Sequence, residues 1–292
     1  AVEKAKETDA ELVMASDPDA DRVGAAVKNN EGEWVLLNGN QTALMFVYYL
    51  ITRWKELGKI NGKEYIVKTI VTTETIKTIA ERNGVEIYDV YTGFKWIANV
   101  MRENEGKKNY IGGGEESYGF LCEDFVRDKD AVSACVILAE IAAWAKDQGL
   151  SLYQLLQKIY VEYGFSKEKG ISVVKKGKSG AEEIEAMMKK FRENPLTEIA
   201  GSKVTYFYDY STLKGKDYAE NETVTLDMPT TSNVLQYFTE DNTKVSIRPS
   251  GTEPKIKFYC EVHSKVKSID ELPEAGKAAE EKINQIKASL GI

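Results

Sequence analysis

The chain has 292 residues, 42% of them apolar and 29% charged, with a net charge of −7 and a pI near 5.2. This length allows two or three domains with separate cores, and the negative charge argues against nucleic acid as a partner. No apolar run approaches the ~20 residues of a membrane span, and the N-terminus lacks a signal-peptide core, so we expect no membrane association.

The few cysteines and the single histidine limit the chemistry that is open to this protein. Cys122, Cys135 and Cys260 are odd in number and widely spaced, which predicts reduced packing residues in a cytoplasmic protein. His263 falls near the end of a strand-like run and is expected to be a surface or strand-end residue. Histidine-rich metal sites and serine–histidine relays are therefore excluded, and catalysis must rest on carboxylates, lysines and a metal.

Residues 1–38 are typical of the end of an α/β domain. A predicted strand at 11–15 leads into an acidic loop, and Val23–Val27 and Trp34–Leu37 form a predicted hairpin. Nothing upstream supplies the other strands of such a sheet, and an initiating Met is missing. We therefore expect this domain to be incomplete.

The acidic loop carries Asp17, Asp19 and Asp21 at alternate positions and is closed by Arg22. In an extended loop, alternate side chains point the same way, so the three carboxylates could converge on one hard cation, and Mg²⁺ is the first hypothesis. Two rival interpretations stay open at this point: a solvated turn rich in aspartate, and a phosphatase in which Asp19 is the nucleophile. A calcium hand fails on spacing, because its glycine position falls on Arg22.

Residues 39–168 alternate predicted helices and strands, which indicates a mostly parallel sheet with right-handed crossovers. The predicted helices lie near 40–57, 74–83 and 129–147, with another opened by the segment 91–96, and the strands near 65–71, 85–90 and 109–111. Ligands bind beyond the carboxyl ends of such strands. Thr92, Gly93 and Lys95 follow one of these strands, and Gly114–Gly119 follows the next.

The segment 112–119 contains three consecutive glycines followed by Glu115, Glu116 and Ser117. The glycines would bring backbone close to a ligand, and a glutamate that accepts two hydrogen bonds from neighbouring hydroxyls is suited to a sugar diol. The alternative is a strand-to-helix turn in which the carboxylates cap the helix. Lys129, at the start of the following helix, is either part of this site or a solvated residue on a charged run.

Residues 169–292 follow a basic, glycine-containing boundary at 169–180 and read as an α+β domain. Between the last two predicted strands lies a loop that offers an anion nest flanked by fixed positive charges. Its candidate ligand-binding residues are Arg248, Ser250, Gly251, Thr252 and Lys255. The alternative is an ordinary hairpin turn rich in Pro and Gly. The fold class predicted for the whole chain is α/β, a mixed and mostly parallel sheet with flanking helices, followed by a C-terminal α+β domain.

Three motifs in this order resemble the α-D-phosphohexomutases, the phosphoglucomutase and phosphomannomutase family. Asp17–Arg22 is similar to its metal loop, Gly114–Gly119 to its sugar loop and Arg248–Lys255 to its phosphate loop, over nearly the full chain. The stretch Thr92–Trp96 is closest to the phosphoglucomutase and phosphopentomutase branch. The resemblance implies domain 2 ending at 38, domain 3 at 39–168 and domain 4 at 169–292.

The resemblance also implies roles for these residues in a mutase that interconverts hexose 1-phosphate and hexose 6-phosphate. Mg²⁺ would lie on the three aspartates and Arg22 beside the transferring phosphoryl group. Glu115 and Ser117 would hold sugar O3 and O4. The loop at 248–255 would clamp the phosphate that does not react. Lys129 matches the lysine of an R-x-K-D motif and would be an acid/base with a pKa lowered by burial near cations.

The family's phosphoserine motif, Thr-Ala-Ser-His-Asn-Pro or similar, does not occur in this sequence. The resemblance therefore implies a chain that binds sugar phosphates, with glucose 1,6-bisphosphate as the intermediate, but does not turn over alone. Because O3 and O4 do not report the configuration at C2, glucose and mannose phosphates both remain possible substrates. Pentose phosphates also remain possible. The alternatives are a non-catalytic sugar-phosphate-binding protein and the aspartate-dependent phosphatase.

Overall fold

A computed structural model describes residues 1–175, 177–251 and 253–292, except the side chain of Lys178. The chain forms two compact units, unit 1 at Ala1–Gly164 and unit 2 at Phe165–Ile292. Unit 1 is α/β and unit 2 is α+β with an antiparallel sheet, so the predicted fold class is confirmed. None of the helices in the described ranges combines the length and apolar character needed to cross a bilayer.

Unit 1 contains six helices and seven strands within its bounds. The helices are α1 (Val2–Glu7), α2 (Gly39–Glu56), α3 (Thr75–Arg82), α4 (Phe94–Asn104), α5 (Ala131–Asp147) and α6 (Leu152–Tyr163). The strands are β1 (Leu12–Ser16), β2 (Val23–Lys28), β3 (Trp34–Leu37), β4 (Glu64–Thr69), β5 (Glu86–Val90), β6 (Asn109–Gly114) and β7 (Phe120–Cys122).

The first sheet of unit 1 is the antiparallel order β1-β2-β3. Its β2–β3 hairpin is the one that the turn signal at 29–32 predicts. The last residue of β1, Ser16, pairs with the first residue of β2, Val23, so the acidic loop closes a second hairpin. The ends of this loop are therefore fixed by a sheet.

The second sheet of unit 1 has the order β5-β4-β6-β7, with β4 parallel to both β5 and β6 and β7 antiparallel to β6. The carboxyl ends of β4, β5 and β6 therefore meet at one edge. The helix α2 is buried along most of its length, and its N-terminus is fixed by a capping box between Asn38 and Gln41. The candidate sugar loop begins at this edge of the sheet.

The three glycines at 112–114 form part of β6, so their predicted place in a ligand-binding loop is wrong. A Cβ added to Gly113 would lie 2.3 Å from the Val67 carbonyl oxygen, and one added to Gly112 would lie 3.1 Å from the Phe120 ring. These glycines allow close packing of neighbouring strands rather than approach of a ligand. The short β7 was not predicted, because three apolar residues carry no periodicity of their own.

Unit 2 is built on one large antiparallel sheet of order β12-β11-β10-β13-β14-β15-β8, with β9 paired to β10. Its strands are β8 (Phe165–Val174), β9 (Glu198–Ile199), β10 (Ser202–Asp209), β11 (Lys214–Asp217), β12 (Glu222–Thr225), β13 (Leu235–Thr239), β14 (Lys244–Pro249) and β15 (Lys255–Ser264). Its helices are α7 (Gly177–Glu193), a 3₁₀ turn (Ile269–Glu271) and α8 (Leu272–Leu290).

The strand β8 covers half of the boundary predicted at 169–180 and includes most of the strand predicted near 171–175. It pairs with β15 along its whole length, from Phe165 opposite Ser264 to Val174 opposite Lys255. Residues 165–168, predicted to end the preceding domain, therefore belong to unit 2. Local sequence does not reveal the first half of β8, because lysines interrupt its apolar residues there.

The side chain of His263 is only 20% exposed, and its Nε2 lies 2.8 Å from Glu261 Oε1. His263 is the second-last residue of β15, which agrees with the prediction of a surface or strand-end residue. All three cysteines are free, and burial raises the pKa of Cys122 and Cys260, as expected for packing residues.

Candidate functional site

The acidic loop is a tight turn rather than an extended segment. Ala20 has a left-handed φ of 55°, and the Asp17 N–H donates to the Arg22 carbonyl at 3.2 Å. The Asp17 Oδ1 accepts hydrogen bonds from the N–H groups of Asp21 at 3.1 Å and Arg22 at 3.2 Å. Burial raises the pKa of the Asp17 carboxyl, but these backbone donors outweigh it and leave the pKa below its usual range.

The extended geometry expected for this loop is therefore wrong, because the left-handed Ala20 breaks the alternation of side chains. Asp19 is exposed, and it does not follow β1 directly. No group of three or more histidine, cysteine, aspartate or glutamate side chains within the described ranges is arranged to hold a metal. The assignment of the three aspartates to Mg²⁺ stays a prediction.

The chemistry of the loop nevertheless suits a hard cation. Asp21 Oδ1 is buried and has no hydrogen-bond partner among the described residues, while Arg22 Nε lies 3.7 Å from it. A buried carboxylate oxygen without a hydrogen bond is costly, and a divalent cation would satisfy it. Three carboxylates within one short turn provide the oxygen ligands that Mg²⁺ prefers.

Lys129 lies against the acidic loop. Its Nζ is 3.1 Å from Asp21 Oδ2 and 3.0 Å from Asp128 Oδ1, and 5.4 Å from the centre of the Phe94 ring. Burial lowers the pKa of Lys129, but hydrogen bonds to Asp128 and Asp21 outweigh it and raise the pKa above its usual value. The expected lowering of this pKa is therefore wrong, because the charges around the ammonium are negative.

Glu115 is the buried carboxylate at the carboxyl end of the second sheet. Only 5% of the residue is exposed, and its Oε1 accepts a hydrogen bond from the Gly93 N–H at 2.8 Å. The Glu115 N–H donates to the Gly119 carbonyl at 2.8 Å, which closes the loop 115–119. The structure thus joins two segments that the sequence singled out separately, the turn at Thr92 and Gly93 and the candidate sugar loop. Ser117 is partly exposed in that loop.

Backbone hydrogen bonds tie the acidic loop, the candidate sugar loop and the start of α5 together. The Val23 N–H donates to the Tyr118 carbonyl at 3.1 Å, and the Ala131 N–H donates to the Ala20 carbonyl at 3.0 Å. A Cβ added to Gly119 would lie 2.2 Å from Cδ of Lys129, so the lysine stem packs directly on the loop. Three candidate segments of unit 1 therefore lie next to one another.

Lys95 lies to one side of this site, on the exposed face of α4. Its Nζ is 5.0 Å from the centre of the Trp96 ring, and it lines an open groove of about 760 Å³. Arg102 and Arg127 line the same groove, as do the acidic residues Glu105, Asp124 and Asp128. Sequence reasoning missed the two arginines, although Arg102 falls on the same helical face as Lys95.

The candidate phosphate loop of unit 2 joins β14 to β15. Arg248 pairs with Lys257 across these strands, and the Ser250 N–H donates to the Lys255 carbonyl at 2.8 Å. The Lys255 Nζ lies 2.6 Å from Glu253 Oε2, and this hydrogen bond lowers the pKa of Glu253. Sequence reasoning missed this acidic partner.

The tip of the candidate phosphate loop consists of Ser250, Gly251 and Thr252. The Ser250 hydroxyl accepts from the Glu253 N–H at 3.3 Å. Gly251 is exposed, and a Cβ added there would meet nothing within 4 Å. Thr252 lies outside the described residues. Of the N–H groups expected to form the anion nest, that of Ser250 is thus used within the loop itself.

Two models of one protein family match this chain, one within unit 1 and one within unit 2. Residues 38–163 match the family model for the α/β/α domain III of phosphoglucomutase/phosphomannomutase, and residues 172–279 match the model for its C-terminal domain. The chain belongs to the phosphoglucomutase/phosphomannomutase family. The resemblance inferred from the three motifs is thereby confirmed.

Individual members of the phosphoglucomutase/phosphomannomutase family match most of this chain. A phosphoglucomutase from Staphylococcus aureus (strain MRSA252) is 38% identical over 259 residues, 89% of this chain and 46% of the relative. The chain spans about half the length of the curated relatives it matches.

Two solved structures share the fold at low sequence identity. A family protein from Burkholderia thailandensis has a TM-score of 0.60 at 18% identity, covering 99% of this chain and 49% of that chain. The open form of a phosphoglucomutase from Paramecium has a TM-score of 0.58 at 17% identity, covering 94% and 45%.

Proposed function

We propose that this chain supplies the metal, sugar and phosphate loops of a phosphosugar mutase. The reaction is the interconversion of hexose 1-phosphate and hexose 6-phosphate, with glucose favoured, through a phosphoserine and a bisphosphate intermediate. The observation that carries the proposal is the convergence of the acidic loop, the buried Glu115 and Lys129 within unit 1. A cation site, a hydroxyl-reading carboxylate and an ammonium at one place are the components of phosphoryl transfer to a sugar.

The acidic loop and Lys129 serve the reacting phosphoryl group in this proposal. Asp17, Asp19 and Asp21 would hold Mg²⁺, which when bound neutralises charge on that group. Arg22 supplies a fixed positive charge beside it. Lys129, whose Nζ is 3.1 Å from Asp21 Oδ2, would place its ammonium beside the same group, where it can donate hydrogen bonds to phosphoryl oxygens.

Glu115 and Ser117 bind the sugar hydroxyls O3 and O4. Because the Gly93 N–H holds one oxygen of Glu115, the carboxylate has a fixed orientation and its remaining acceptor capacity faces the ligand. Thr92 and Lys95 lie on either side of that glycine in sequence. A site of this kind does not distinguish the C2 epimers, so glucose and mannose phosphates are both substrates of the complete enzyme.

The loop at 248–255 binds the phosphate that does not react. Arg248 provides a fork of N–H donors, and the loop residues Ser250, Gly251 and Thr252 provide a hydroxyl-rich turn. Lys255 exchanges its ion pair with Glu253 for the incoming dianion. This exchange makes Lys255 a weaker contributor than Arg248.

The chain alone is expected to bind glucose 1,6-bisphosphate without releasing phosphate, because no serine–histidine–asparagine motif occurs in it. Calorimetric titration of the 292-residue chain with this bisphosphate, in buffer with Mg²⁺, measures the binding. A phosphate assay on the same sample measures release. Release would favour the aspartate-dependent phosphatase, and absence of binding would refute the proposed function.

The variant Glu115→Gln tests the sugar loop directly. It should weaken bisphosphate binding by at least ~10-fold, since a charged acceptor is lost at a buried hydrogen bond. The matched control is Glu64→Gln, a buried carboxylate at the amino end of the same sheet, held by the N–H groups of residues 61–63. Equal loss of affinity in both variants would contradict the assignment of Glu115.

A further inference from the structure

Lys68 is a charged residue buried in the centre of the second sheet of unit 1. Only 1% of its side chain is exposed, and its Nζ lies 2.6 Å from Asp89 Oδ1 and 2.9 Å from Glu74 Oε1. The carbonyl oxygens of Thr69 and Thr72 accept from the same Nζ at 3.4 Å. A buried ion pair contributes little stability compared with apolar packing. Stability alone therefore does not explain why a lysine occupies this buried position.

Lys68 lies between the strand that leads to Gly93 and the strand that leads to Glu115, the donor and the acceptor of one hydrogen bond. β4 lies between β5 and β6, and Lys68 is paired with Asp89 on one side and Gly114 on the other. Asp89 belongs to the strand that leads into the turn containing Gly93, and Gly114 directly precedes Glu115. Lys68 thus lies between the two strand ends from which the donor and the acceptor emerge, and its side chain is bound to Asp89 of β5.

The segment that follows Lys68 contacts the same two strand ends. The Ile70 N–H donates to the Val90 carbonyl of β5 at 2.8 Å. The Thr69 hydroxyl donates to Glu116 Oε2 at 3.3 Å. Displacement of the end of β4 would therefore move the donor turn and the acceptor loop relative to each other.

We propose that Lys68 is a positioning residue that keeps the Gly93 N–H on the Glu115 carboxylate and thereby sets the orientation of that carboxylate. The ion pair with Asp89 holds the end of β5 against β4, and the carbonyl contacts hold the chain beyond β4 in a turn. The effect on ligand binding rests on the proposed function, whereas the effect on the Gly93–Glu115 hydrogen bond does not.

The test compares Lys68→Met with Lys108→Met in the full 292-residue chain. Methionine has an unbranched side chain that is one atom shorter than lysine, and it removes the charge. Lys108 is the matched control, because it pairs with Glu86 and donates to the Tyr88 hydroxyl near the amino end of β5, away from the site. The amide proton of Gly93, observed by NMR without ligand, reports the hydrogen bond to the carboxylate.

The expected result is an upfield shift of the Gly93 amide proton in Lys68→Met and no shift in Lys108→Met, because the amide loses a charged acceptor. Affinity for glucose 1,6-bisphosphate should fall by about 10-fold in Lys68→Met only, which corresponds to ~1.4 kcal/mol. An unchanged Gly93 resonance in folded Lys68→Met would overturn the proposal.

A double-variant cycle separates positioning from general destabilisation. If Lys68 acts through Glu115, adding Lys68→Met to Glu115→Gln should cost no further affinity, whereas independent effects would add. If Lys68→Met does not fold, Asp89→Asn removes the same charge pair at a residue whose side chain is 35% exposed. A wild-type chain that binds no bisphosphate would refute the proposed function, and the Gly93 resonance would still decide the role of Lys68.

Discussion

The contact between α2 and the candidate sugar loop depends on the absence of a side chain at Gly39. A Cβ added there would lie 2.1 Å from the Glu116 carbonyl oxygen and 2.6 Å from the Tyr118 backbone nitrogen. Both neighbours are backbone atoms, so relief requires the loop to move by roughly 1 Å rather than a side chain to rotate. Gly39→Ala is therefore expected to displace the loop that carries Glu115.

The cost of Gly39→Ala follows from three contributions. Overpacking against backbone costs about 1–3 kcal/mol, and loss of the Val23–Tyr118 hydrogen bond adds about 1 kcal/mol. Alanine is favoured over glycine in a helix by up to ~1 kcal/mol, which offsets part of this. The free energy of unfolding of unit 1 should fall by about 1–3 kcal/mol, or roughly 1 M in urea midpoint at a slope of ~2 kcal/mol/M.

Tryptophan fluorescence during urea unfolding measures this effect in unit 1 alone. All four tryptophans lie in that unit: Trp34, Trp54, Trp96 and Trp144. The control is Gly24→Ala in β2, where an added Cβ would have its nearest neighbour at 3.9 Å. If the midpoint of Gly39→Ala equals that of Gly24→Ala, the close approach of loop and helix does not exist.

Two further predictions concern the stability of unit 2, followed by hydrogen exchange of its peptides in urea. Burial lowers the pKa of His263, but the Glu261 charge outweighs it and raises the pKa above 6.5. Protonated His263 therefore stabilises unit 2 fully below pH ~6.5, and this stabilisation is lost as the pH rises through the folded-state pKa. In His263→Gln, the stability of unit 2 should depend less on pH. Persistence of the full dependence in His263→Gln would assign it to another group. In Gly215→Ala, the new Cβ would lie 2.5 Å from Cδ1 of Tyr208, which should lower the free energy of unfolding by about 1–2 kcal/mol. The control is Gly276→Ala in α8, where the new Cβ meets nothing within 4 Å and the free energy of unfolding should stay the same or rise. Equal stability of these two alanine variants would refute the tight packing at Gly215.

Much of the fold follows from local sequence patterns. The hairpin at 23–37 follows from two apolar runs around Asn-Asn-Glu-Gly, and α2 and α8 follow from long apolar or amphipathic stretches. The strands β7, β11 and β13 were not predicted, since short strands gain most of their stability from partners distant in sequence. The length of β8 is likewise set by its pairing with β15.

The sequence by itself determined which loops carry the chemistry, because clustered aspartates, a Gly-Glu-Glu-Ser segment and an Arg-Pro-Ser-Gly turn depend only on neighbouring residues. Only the tertiary structure decided how each charged group is paired. Asp17 accepts hydrogen bonds from the backbone of its own loop, Asp21 forms an ion pair with Lys129, and Glu115 accepts a hydrogen bond from the Gly93 N–H. Hydrogen bonds to Asp128 and Asp21 raise the pKa of Lys129 where the sequence suggested a lowered one. They could not be read from spacing, because hydrogen bonds and ion pairs depend on distances that folding creates between remote segments.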